Sequence, residues 1–121
     1  MKAESVPKTC LPKSRLGGRP LLTRGQAAEL VGLFKVLSND TRLRLIHALI
    51  RAEEIRMTEL ADLLGMKPQA VSNQLQKLVD LGILGSRRNG NNIYYRIVDR
   101  CVIEILDHGL CLSEDAKARS R

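Results

Sequence analysis

A mainly α-helical fold carrying one small β-hairpin is predicted for this chain by three observations. Apolar residues recur every three or four positions in four separate runs between Gln26 and Val79. The last two runs, "TELADLLG" and "PQAVSNQLQKLVD", are joined only by Met66 and Lys67. Immediately after them, "ILGSRRNGNNIYYRIVD" holds two short strand-like runs on either side of Asn89-Gly90, a dipeptide suited to the positive φ of a tight turn.

The 121 residues suffice for one small domain with a modest core, which oligomerisation would help to stabilise. Charge is uneven: of a net +7, residues 1–25 carry +5 and residues 66–97 carry +4, while the segments between and after them are each −1. Such a pattern suits an acidic polymer, nucleic acid first among them. Aromatic residues are only Phe34, Tyr94 and Tyr95, too few for stacking single-stranded bases, so duplex DNA is favoured over RNA. The opening "MKAESVPK" lacks the apolar run of a signal peptide, and no stretch approaches the roughly 20 apolar residues of a membrane span. A cytoplasmic chain without a membrane partner is expected. Three widely spaced cysteines, Cys10, Cys101 and Cys111, argue against a secreted disulfide scaffold and leave thiols, metal ligands or apolar fillers. Neither a phosphate-cradling glycine loop, a catalytic metal motif, nor a nucleophile with an evident base is present, so the chain is not expected to be an enzyme.

Residues 1–23 hold three of the four prolines and read as a flexible basic arm. Ala27, Leu30, Val31, Phe34 and Leu37 then form the stripe of a first amphipathic helix. Asn39 or Asp40 can cap a second, with Leu43, Ile46, Leu49 and Ile50 inward and His47 at the stripe's side. Thr58 is the expected cap of a third, which Gly65 ends. Pro68 suits the first turn of a fourth, because its missing N–H would have had no partner there. In that helix Val71, Leu75, Leu78 and Val79 share one stripe, while Gln69, Ser72, Asn73 and Gln76 occupy the outer face with no acid until Asp80. Two helices on a glycine turn, followed by a hairpin bearing Arg87, Arg88 and Arg96, are the layout of a winged helix-turn-helix. In the hairpin Ile93, Tyr95 and Ile97 alternate with Tyr94, Arg96 and Val98, as in a strand with one buried face. Asp99 is placed to cap a last helix. Residues 24–112 thus make the DNA-binding and dimerisation domain, and residues 113–121 a polar C-terminal tail.

Amides pair well with base edges in the major groove, so Gln69, Ser72 and Asn73 are the candidate readers of sequence. Lys67, Lys77, Arg87 and Arg88 are candidates for phosphate or wing contacts, which position without reading. With these residues in view, the sequence resembles the ArsR/SmtB family of metal-sensing winged-helix repressors over roughly residues 26–112. "FKVLSNDTRLRLIHAL", "ELADLLGMKPQAVSNQLQKLVDLGIL" and "RRNGNNIYYRI" are similar, in order and separation, to that family's helix-entry, recognition and wing motifs. Lys67 stands where the family often has serine, and Gln74, also counted as a DNA contact, where histidine is frequent. The resemblance implies a homodimer, built from the first and last helices, that holds double-stranded operator DNA and blocks transcription until an inducer arrives.

Metal sites implied by the resemblance fit unequally. The family's cysteine segment at the third helix has as counterpart "EEIRMTEL", which contains none. The Asp-x-His pair of its last-helix zinc site corresponds to Asp99 and Cys101, and the remaining ligand positions fall on Leu112 and Asp115, so that site is incomplete. A softer set remains: Cys101, Glu104, His108 and Cys111 lie within about an 80° arc of one helix. Cys101 and Cys111 are about 15 Å apart along it, too far to share an ion within one chain. Between antiparallel helices of two subunits they could meet, with Cys10 as a third thiolate and Asp99 or His108 as weaker candidates. Thiolates point to As(III), Hg, Cd or Pb as the inducer. A thiol-redox or persulfide switch, and packing cysteines with no metal inducer, are the alternatives.

Overall fold

The computed structural model describes residues 15–120. Five helices, α1 (Arg24–Leu37), α2 (Asp40–Arg51), α3 (Met57–Leu64), α4 (Pro68–Asp80) and α5 (Cys101–Arg119), surround a small sheet. Its strands are β1 (Ile55–Arg56), β2 (Leu84–Asn89) and β3 (Asn92–Ile97), antiparallel in the order β1-β3-β2. The winged helix-turn-helix expected from the sequence is therefore present, with one strand more than the hairpin alone: Ile55 and Arg56 pair with Tyr95 and Tyr94. A two-residue strand has no periodicity to announce it.

Local chemistry explains the helix boundaries. The hydroxyl of Thr23 accepts from the Gln26 amide at 3.0 Å, and the Gln26 side chain accepts in return from the Thr23 amide at 3.0 Å, so α1 starts two residues before its apolar period. Asn39 rather than Asp40 caps α2, accepting from the Arg42 amide at 3.0 Å. Thr58 does not cap α3. The helix begins at Met57, where Glu59 accepts from the Arg56 amide at 3.2 Å and satisfies one of the donors left open at a helix start. Gly65 ends α3 in the left-handed conformation, φ 66°, and Pro68 opens α4 as expected. Asp99 stands one residue before the cap position of α5, which Arg100 occupies without a side-chain bond, but its carboxylate still accepts from the Cys101 amide at 3.0 Å.

One expectation at the C-terminus is corrected: residues 113–119 are not a separate tail, because α5 runs unbroken through Gly109 to Arg119. An interior glycine weakens a helix by only about 1 kcal/mol relative to alanine, and the alanines, lysine and arginine beyond it are good helix formers. Residues 1–14 of the predicted arm lie outside the described residues; from there a short 3-10 turn, Leu16–Gly18, precedes α1. The hairpin turn is shifted by one residue. Asn89 pairs with Asn92, leaving Gly90 and Asn91 as the two-residue loop, with Gly90 at φ 65°.

The core is built from α2, α3, α4 and the sheet. Leu45, Ile46, Leu49, Leu60, Val71, Leu75 and Leu78 are fully buried, with Tyr95 of β3 and Val102 of α5 beside them. Each such leucine contributes roughly 1.5–3 kcal/mol by leaving water. On α2 the inward stripe is rotated from the expected one: Leu45 is buried while Leu43 remains 37% exposed. Among the described residues no helix is long and apolar enough to cross a membrane.

α1 departs furthest from expectation. Of its predicted stripe only Leu37 is buried, while Leu30, Val31 and Phe34 are 40%, 51% and 46% exposed. Leu33 and Val36 are the residues that join Leu37 against the core. The helix is apolar on two sides, and the described residues cover one of them.

Candidate nucleic-acid interface

α4 holds its reading face outward because Val71, Leu75 and Leu78 anchor the opposite side in the core. Lys67, Gln69, Asn73, Gln76 and Lys77 are exposed, and Ser72 is half-buried beside them. The amides are already ordered. Gln69 donates from Nε2 to Asn73 Oδ1 at 3.0 Å, and Gln76 donates from Nε2 to Asp80 Oδ1 at 2.8 Å, both one turn along the helix. The first bond uses one donor of Gln69 and one acceptor site of Asn73. Gln69 Oε1 and the Asn73 amide hydrogens therefore retain an acceptor and a donor side by side, the pattern that adenine or a mixed base step accepts in the major groove.

Gln74 is held differently from the other amides. Its Oε1 accepts from Arg42 Nε at 3.0 Å, and Arg42 Nη1 donates to the backbone carbonyl of Val36 at 2.7 Å. Both side chains are half-buried.

The hairpin arginines also divide. Arg87 forms a two-pronged pair with Glu54, Nε to Oε2 at 2.9 Å and Nη2 to Oε1 at 2.7 Å, and its guanidinium lies 4.4 Å from the centre of the Tyr94 ring opposite it in the sheet. The hydrogen-bonded Arg87 guanidinium holds the Glu54 carboxyl below its ordinary range, and Glu54 in turn pushes Arg87 upward. Arg87 thus braces the root of the wing against the segment that follows α2. Arg88, next along an alternating strand, is exposed on the opposite face. Arg96 folds across the strand over Gly85, where a Cβ would stand 3.3 Å from its Nη1. Sequence reasoning missed Glu54 and Arg42: their partners are 33 and 32 residues away, beyond any local period.

The candidate metal ligands are dispersed. Cys101 is half-buried and disulfide-bonded, and it borders a cavity of about 230 Å³ between α1 and α5, lined also by Leu33, Leu37, Ile83 and Ile105. Cys111 is free and exposed, its sulfur 3.8 Å from Asp115 Oδ2. His108 is exposed on the same helix, the Asp99 carboxylate accepts from the Cys101 amide, and Cys10 lies outside the described residues. Among the described residues no three His, Cys, Asp or Glu side chains are grouped to hold an ion.

Comparison with known proteins gives this geometry a context. A family model described as a helix-turn-helix domain matches residues 37–87. NmtR, an HTH-type transcriptional regulator of Mycobacterium tuberculosis, is 34% identical over 88 residues, covering 73% of this chain and 72% of NmtR. The crystal structure of AntR, an antimony-specific transcriptional repressor, matches with a TM-score of 0.75 and 57% identity, over 91% of this chain and 99% of AntR. A homodimeric winged helix-turn-helix DNA-binding domain from Mycobacterium bovis, described as a possible ArsR-family regulator, matches with a TM-score of 0.67 and 25% identity over 84% of this chain and 95% of its own.

Proposed function

The chain belongs to the ArsR/SmtB family of DNA-binding transcriptional repressors, and from that premise we propose how it holds its operator and what releases it. Two subunits join through α1 and α5, and each inserts α4 into a major groove, the half-sites lying about 34 Å apart. Gln69, Ser72 and Asn73 read bases, Lys67, Lys77 and Arg88 hold phosphates, and Arg87 fixes the wing from which Arg88 projects. The observation that carries this reading is the outward face of α4: ordered amides and two lysines, with no acid before Asp80 at the helix's far end.

The inducer in this proposal is a thiophilic ion, trivalent antimony or arsenic ahead of mercury, cadmium and lead. The 57% identity to an antimony-specific repressor favours the trivalent metalloids. The donor chemistry agrees, since Cys101 and Cys111 in their reduced forms offer soft thiolates. Their spacing along α5, about 15 Å, requires ligands from the second subunit or from Cys10 to complete the set. A second reading, a thiol-redox switch, is favoured by one specific observation: Cys101 is disulfide-bonded. In that reading peroxide takes two electrons and two protons from a thiol pair and is reduced to water.

A fluorescent duplex selected from a random pool, bound by reduced protein, tests both. Antimony(III) is expected to release the duplex from the native protein, and the Cys101→Ser and Cys111→Ser variants to resist release. Release from every cysteine variant by every ion would refute the thiolate site. Release by peroxide alone, reversed by a reductant, would favour the redox reading.

A further inference from the structure

We infer that Arg42 is a positioning residue that ties the reading helix α4 to the end of α1, and that Gln74 is its receptor rather than a reader of bases. This rests on the proposed entry of α4 into the groove.

The argument begins with what one guanidinium joins. Arg42 lies in the first turn of α2, where Asn39 caps its own amide at 3.0 Å. Its Nη1 donates to the carbonyl of Val36, in the last turn of α1, at 2.7 Å. Carbonyls there have no partner within the helix, and the end of the helix dipole favours a cation. Its Nε donates to Gln74 Oε1, in the middle of α4, at 3.0 Å. Three helices thus meet on one planar, permanently charged group whose donors are fixed in direction.

Gln74 is poorly placed to read DNA. At 100° per residue it stands about 100° around α4 from Asn73, at the margin of the buried stripe rather than on the outer face. Its carbonyl oxygen is directed to Arg42, whereas the Gln69–Asn73 and Gln76–Asp80 bonds run along the exposed side. The link has a direction as well. Val36 stands two residues after Phe34, part of the α1 stripe that the described residues leave uncovered. A change in how α1 seats on a second subunit would move the Val36 carbonyl, and through Arg42 the roll of α4.

The experiment measures binding of a duplex selected by the native protein from a random pool, beside a random duplex, over a range of salt. Arg42→Met and Gln74→Ala are each expected to weaken the selected duplex about tenfold, with the double variant no weaker than either single. Random-duplex affinity and the salt slope stay unchanged, since no phosphate contact is lost. Gln74→Glu offers Arg42 a carboxylate and is expected to bind within about threefold of the native protein, the charge pair standing in for the amide bond. Three outcomes would overturn the inference: additive losses, a salt slope lowered by about one in Arg42→Met, or a changed base preference in Gln74→Ala together with lost binding in Gln74→Glu. If the native protein selects no duplex, the reading of α4 has failed. Hydrogen exchange then decides the tie by itself, equal loss of α4 protection in both single variants supporting it and unchanged protection refuting it.

Discussion

The two halves of this molecule bury their apolar residues in different ways. In α2, α3, α4 and the hairpin, most of the large apolar residues meet one another inside the chain: Leu45, Leu60 and Leu75 are entirely covered, with Leu43 and Leu63 the exceptions. In α1 and α5 the same residue types remain in the open, with Phe34 46%, Leu110 63% and Leu112 64% exposed. One half is complete among the described residues, whereas the other carries apolar area that the described residues leave open, the face assigned above to a second subunit. A fold that must hold a reading helix rigid and yet respond to a signal at its opposite side has reason to divide its packing in this way. The complete half fixes the geometry of α4, and the incomplete half is where a change of assembly can be felt.

The sharpest way to break the comparison is to hollow the complete half. Leu75→Ala removes the side chain that seats α4, and it is expected to cost about 2–5 kcal/mol of subunit stability, read as a shift of the denaturant midpoint. Phe34→Glu should do the reverse. It leaves the core intact, so the change appears in sedimentation as self-association weakened by about a hundredfold, the scale of a lost aromatic anchor. A Phe34→Glu protein that unfolds as readily as Leu75→Ala would erase the distinction between the halves.

Smaller effects sharpen it. Gly90→Ala forces an L side chain to φ 65° in the hairpin loop and is expected to cost about 1–2 kcal/mol, with the amide signals of β2 and β3 shifted and those of α1 and α5 unmoved. Least of all is the Glu54–Arg87 pair. The carboxyl of Glu54 lies below its ordinary value near 4.5 in the folded chain, so its contribution is fully present above that value and is lost as pH falls through the lower, folded one. Both side chains are partly exposed, so solvent screens the pair and the effect is slight. Melting curves of Glu54→Gln should show a shallower loss of stability than the native protein over that acid window, and the same stability slope near neutrality.

The elements that were legible in the sequence are those whose cause is local. Gly65, Pro68 and Asp99 punctuate the chain through their own backbone or side-chain chemistry, and the Val71–Leu75–Leu78 stripe repeats within one helix. Thr58 misled because Glu59, one residue on, reaches back to the Arg56 amide and starts α3 earlier. The α1 stripe misled for a different reason: apolar period reports that a face is buried, not which molecule buries it. Leu30, Val31 and Phe34 keep the spacing of a core face, yet Leu33, Val36 and Leu37 are what the chain's own core receives.

From the sequence alone came the family, the order of the helices and the hairpin, and the residue types available to touch DNA or bind a thiophilic ion, because these follow from spacing and side-chain chemistry. Which of those residues are engaged inside the protein was decided only by the tertiary structure. Arg42 meets Gln74, and Arg87 meets Glu54, across more than thirty residues of chain, because folding brings together charges and amides whose separation along the chain obeys no period.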